Sequence, residues 1–78
     1  MTTDVRLFAA AAAAAGTTAL TSEADSLTAL QTELIDRYPE IAPVLLRCSF
    51  LVDGLVTQHD VSLATAATVD VLPPFAGG

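Results

Sequence analysis

Gly77 and Gly78 close the sequence, and Pro73-Pro74-Phe75-Ala76 precede them. Two glycines carry no side chains, so a carboxylate on Gly78 can thread a narrow channel into another protein's active site. A carboxylate is a poor electrophile, and an ATP-using partner must first convert it to an acyl-adenylate. Attack by a sulfur donor then leaves a thiocarboxylate, a soft nucleophile, on Gly78. On this expectation the domain is a handle, the partner supplies the catalysis and consumes the ATP, and the chain binds no cofactor of its own.

Few other side chains offer chemistry. His59 is the only histidine and Cys48 the only cysteine; they form a nucleophile–base pair only if the fold brings them together. Neither lies in a supporting motif, and the sequence has no GxGxxG, P-loop, HExxH or GxSxG pattern. Cys48 reads instead as a small buried hydrophobe, and His59 as an exposed loop or edge residue. A single cysteine excludes an intramolecular disulfide and a four-cysteine zinc site, and no metal site is expected. The nine carboxylates are scattered and read as a solvated acidic surface.

Composition narrows the classes further. A chain of 78 residues, 53% apolar and 15% charged, is one small globular domain rather than a disordered segment. Nine acids face three arginines and no lysine, for a net charge of −6. Such a surface repels phosphate backbones, which argues against nucleic acid and against anionic membranes as partners. Small secreted domains usually need disulfides, so their absence points to the cytoplasm. Val5 to Ala15 is apolar except for Arg6 and offers Ala-x-Ala patterns, but Asp4 stands where a signal peptide carries positive charge. The stretch is also far short of the roughly 20 apolar residues that span a bilayer.

Val5 to Phe8 is β-branched and aromatic enough for a strand, with Val5 and Leu7 on one face and Arg6 and Phe8 on the other. The seven alanines that follow favour helix, and Gly16 ends it. Thr17 to Glu23 predicts a second strand. Asp25 or Ser26 can cap the next helix, whose apolar stripe is Leu27, Leu30, Leu34, Ile35 and Tyr38. Pro39 stops it. Glu40 to Arg47 predicts a turn or short irregular helix. Ser49 to Val52 is a strand, Asp53-Gly54 a turn, and Leu55 to Asp60 the return strand. Val69 to Leu72 makes a last strand, ended by Pro73-Pro74.

These elements predict an α+β domain over residues 1–72, with one main helix across one face of a mixed sheet, and an extended tail over 73–78. Val5, Leu7, Val69 and Val71 line the covered face. Asp70, Leu72 and Phe8 then point out, with Val56 and Phe75 near Phe8 and Leu72 as an exposed apolar surface of the kind that marks a partner site.

The tail Leu72-Pro73-Pro74-Phe75-Ala76-Gly77-Gly78 resembles the Leu-Pro-Pro-Val-Ala/Ser-Gly-Gly ending of the small, sulfur-carrying subunits of molybdopterin synthase. Leu7-Phe8-Ala9 through Gly16 resembles that family's opening strand and glycine-closed helix, and Val52-Asp53-Gly54 its Val-Asn-Gly turn. The resemblance implies a ubiquitin-like β-grasp fold and a cycle. An adenylyltransferase related to ubiquitin-activating enzymes adenylates Gly78, and a sulfur donor protein yields the thiocarboxylate. Phe75, Ala76, Gly77 and Gly78 then enter the large synthase subunit, while Phe8, Val56, Leu72, Pro73, Pro74 and Phe75 meet its surface. Sulfur passes to cyclic pyranopterin monophosphate for molybdenum cofactor biosynthesis, in a heterotetramer of two small and two large subunits.

Departures from the pattern bear on the pathway. Ala12 and Ala13 stand where the family often has arginine and glutamate, Ala66-Ala67 where it has a Gly-Asp turn, and Phe75 where it has valine. A carrier feeding thiamine, cysteine or tRNA thiolation, or a non-carrier interaction module, are the alternatives; the double proline argues mildly against the thiamine type.

Overall fold

The computed structural model describes residues 2–57 and 59–73. Strand β1 (Thr3–Leu7) leads into helix α1 (Ala9–Ala15), then β2 (Ala19–Ser22) and α2 (Leu27–Arg37). A 3-10 turn (Pro39–Ile41) and the short α3 (Ala42–Leu45) follow, and β3 (Ser49–Val52), β4 (Leu55–Thr57) and β5 (Thr68–Leu72) complete the described elements. Among the described residues the strands form one five-stranded sheet in the order β2-β1-β5-β3-β4. β1 and β5 run parallel at its centre, and the other pairs are antiparallel. This is the α+β mixed sheet predicted above.

The local causes are legible at each boundary. Gly16 closes α1 in the left-handed conformation, φ 75°, and donates its N–H to the Ala12 carbonyl, where a residue with a Cβ would be strained. Ser26, not Asp25, caps α2: its hydroxyl accepts from the Ala29 N–H at 3.1 Å. Asp53 and Gly54 both have positive φ, 50° and 85°, the signature of the two-residue turn whose twist suits a hairpin. Leu27, Leu30 and Leu34 of α2 pack with Val5, Leu7, Val69 and Val71 of the sheet, all of them buried.

Four expectations need correction. Ile35 is exposed, because at 100° per residue it lies roughly 80° round the helix from Leu27, at the edge of the stripe. The strand expected over Thr17 to Glu23 is confined to Ala19–Ser22. The return strand expected to run to Asp60 stops at Thr57. Beyond it the chain leaves the sheet for α2: the Asp60 carboxylate accepts from the Thr28 N–H at 2.9 Å, and the Leu27 N–H donates to the Val61 carbonyl. Asp70, expected on a solvated surface, does face away from α2 but is buried, since it sits mid-sheet under Arg6.

The loop before β5, where Ala66-Ala67 replaces the family's turn, is held by a side chain from elsewhere. Asp53 Oδ1 accepts from the Ala67 and Thr68 N–H groups, each at 2.9 Å. These bonds hold its carboxyl below the ordinary carboxylate range. A depressed folded pKa stabilises the fold above the unfolded value of about 3.9 and loses that contribution as pH falls through the folded value. Asp53→Asn is therefore expected to melt several degrees below the native chain at neutral pH. That gap should close in thermal melts taken at successively lower pH below about 4; a gap independent of pH would show that the charge contributes nothing.

Candidate functional site

The surface away from α2 is built by alternate residues of all five strands. Register sets Ala19, Arg6, Asp70, Leu51 and Val56 side by side across the sheet. The row toward the tail brings Ser49 opposite Leu72. One step beyond the Leu7–Val71 pairing stands Phe8 beside Leu72, its N–H donating to the Val71 carbonyl at 3.1 Å. Phe8 and Val56 are exposed and Leu72 and Leu51 half-buried. Of the expected interface residues, Phe8 and Leu72 are thus adjacent, whereas Val56 lies on the edge strand with Leu51 between it and Asp70. Leu51 escaped the sequence reading, although its alternation with buried Phe50 already placed it on this face.

In the middle of the face, Arg6 clamps Asp70 in a two-pronged ion pair. Nε donates to Oδ1 at 2.6 Å and Nη2 to Oδ2 at 2.8 Å. Hydrogen bonding and the Asp70 charge push the guanidinium pKa up, and both carboxylate oxygens have partners, as a buried charge requires.

At the end of the sheet where β1 and β5 finish, Phe8, Ala10, Pro43, Val44, Arg47 and Pro73 line a mostly apolar groove of about 430 Å³. Pro73 is the last described residue; Pro74, Phe75, Ala76, Gly77 and Gly78 lie outside the described residues. Of the two alanines that depart from the family pattern in α1, Ala13 is exposed and Ala12 half-buried against the core.

Cys48 and His59 do line one cleft, of about 540 Å³, with Leu27, Gln31, Val56 and Asp60. Burial pushes the Cys48 thiol up, away from the thiolate a nucleophile needs, and no hydrogen bond joins the two among the described residues. No described helix is long and apolar enough to cross a membrane.

The sequence signature of the ThiS family matches residues 5–78, nearly the whole chain. The chain belongs to the ThiS family. It is a sulfur carrier of the ThiS type, a small non-catalytic protein rather than an enzyme. No curated protein matches the sequence. Among solved structures, small archaeal modifier protein 1 from Haloferax volcanii is similar at 18% identity and a TM-score of 0.82, covering 100% of both chains. Small archaeal modifier protein 1 from Methanosarcina acetivorans is similar at 25% identity and a TM-score of 0.78, covering 99% of this chain and 96% of that one. A chain in the complex of subunits 1 and 2 of molybdopterin-converting factor from Helicobacter pylori 26695 is similar at 19% identity and a TM-score of 0.72, covering 100% of both. These likenesses give the ThiS-family chain its fold, β-grasp.

Proposed function

We propose that this ThiS-family carrier is the small subunit of molybdopterin synthase. A ubiquitin-activating-type adenylyltransferase joins the Gly78 carboxylate to AMP with release of pyrophosphate. A sulfur donor protein then displaces AMP and leaves the thiocarboxylate. The tail enters the active site of a large subunit and delivers sulfur to cyclic pyranopterin monophosphate, in a cytoplasmic heterotetramer. The observation that carries this reading is the run Leu72-Pro73-Pro74-Phe75-Ala76-Gly77-Gly78, which the family signature matches through residue 78. Support for the pathway comes from the likeness to a chain that is solved in complex with a second subunit.

A second reading is favoured by the likeness to two small archaeal modifier proteins: the same activated Gly78 is joined to amines of other proteins. Two measurements separate them. Intact mass after incubation with ATP, adenylyltransferase and sulfur donor reports the oxygen-to-sulfur exchange on Gly78. The loaded chain, mixed with the large subunit and cyclic pyranopterin monophosphate, should then yield molybdopterin; loading without product would overturn the pathway. Under either reading, a chain with no lysine cannot accept itself through side-chain isopeptides. Activation assays resolved by mass are expected to show no ladder of such oligomers, and at most a link to the Met1 amine.

A further inference from the structure

The last strand leaves the sheet straight into the groove at its end. Val69 and Val71 are buried on the side of β5 that α2 covers, and Leu72 takes the open face. Pro73, the next residue, lines the groove together with Phe8, Ala10, Pro43, Val44 and Arg47. Helix α1 is all alanine, so its wall of the groove carries nothing beyond a Cβ. Arg47 is the only charged residue among those that line it, and no carboxylate does.

The chain beyond Pro73 suits such a groove. Residues 74–78, Pro-Phe-Ala-Gly-Gly, carry no charged side chain and a single large apolar one, Phe75. The Phe75 Cα lies no more than about 7 Å from that of Pro73, which itself lines the groove. Proline at 73 and 74 fixes φ at both positions, and this removes much of the backbone freedom that seating the ring would otherwise cost. A foreign protein is the poorer occupant, because a net charge of −6 favours basic partner surfaces and Arg47 stands at this groove. We propose that the groove is the resting seat of the chain's own tail, with Phe75 as its occupant. A tail-accepting partner must then draw the ring out before it can take the residues beyond, and its apparent affinity falls with the fraction of chains whose tail is out. That competition rests on the carrier reading, whereas the seat stands on the groove and the tail alone.

Nuclear magnetic resonance on the full chain reads the seat. Among three phenylalanines, Phe75→Leu removes the ring in question and leaves the described core, which ends at Val71, untouched. The native chain should show nuclear Overhauser contacts between the Phe75 ring and the Val44 methyls, and ring-current shifts at Val44 and Ala10 that Phe75→Leu abolishes. Ala10 is exposed, so Ala10→Gln should fold while filling the groove at unchanged net charge. It should abolish the same contacts and, with the seat occupied in about half of the chains or more, bind the adenylyltransferase at least roughly twofold more tightly in calorimetric titration. Absence of any Phe75–Val44 contact in the native chain overturns the seat and leaves the carrier reading intact. Contacts that vanish on dilution come from the tail of a second copy and overturn it as well. Contacts present in a chain that takes up no sulfur in the ATP-dependent reaction uphold the seat and overturn the carrier reading. Unchanged affinity of Ala10→Gln overturns the competition.

Discussion

Deleting Gly78, or extending the chain by a single residue beyond it, is expected to abolish thiocarboxylate formation while the thermal melt stays where it is. The two effects separate because they depend on different residues. The buried core of the described residues ends at Val71, and a glycine has no side chain to bury, so the fold is expected to tolerate changes at Gly78. Activation, by contrast, needs the carboxylate of that residue at the end of a tail without bulk. An added residue presents the wrong carboxylate, or displaces it from the reacting phosphate by more than 3 Å. Intact mass after the ATP-dependent reaction measures loading, and differential scanning calorimetry measures the fold. Full sulfur uptake with a C-terminal tag still attached would overturn the assignment of Gly78.

A second large effect is expected at the last strand, where adjacent residues face opposite ways. Val71 is fully buried between β1 and β3. Val71→Asp forfeits roughly 1.5–3 kcal/mol of burial and adds the desolvation of an unpaired charge, a further several kcal/mol. Total stability for 78 residues is only about 4–12 kcal/mol, so the variant should be largely unfolded. Leu72 is half-buried on the open face beside Phe8. Leu72→Asp should lower the melt by only a few degrees yet weaken binding to the tail-accepting partners by roughly ten- to a hundredfold. Thermal melts and titrations on the pair decide it: an unfolded Leu72→Asp beside a tolerated Val71→Asp would invert the orientation of β5.

How much of this was legible beforehand depended on the range of the interaction involved. Helix α1 and its glycine stop, the Ser49–Val52 strand and the Asp53-Gly54 turn are local, fixed by propensity and by φ. Asp60 could not be separated from the preceding strand, because its task is to meet an N–H on α2, 32 residues earlier. The Asp70 partner was invisible for the same reason: alternation gave its direction, but nothing in the order of residues sets Arg6 opposite it across 64 positions. Asp53 was legible as a turn residue but not as the clasp for the Ala67 and Thr68 N–H groups, 14 and 15 positions further on. Of the candidate site, the outward direction of Phe8 and Leu72 followed from alternation. The electrostatic centre they border required the parallel register of two strands from opposite ends of the domain.

That central parallel pair also governs how the domain comes into being. β5 joins β1–β2 to β3–β4, and without it the sheet divides into two isolated pairs of the kind that are marginal in water. Bringing β1 to β5 closes a loop of 64 residues, an entropic cost of about 3.7 kcal/mol beyond a constant. The topology is therefore of high contact order and predisposed to slow, all-or-none assembly. During synthesis no partial sheet of this design can persist until β5 has left the ribosome. The strand that precedes the carrier tail of the proposed function is the same strand that completes the fold, so under that reading a nascent chain gains its docking face only at the moment it gains its core.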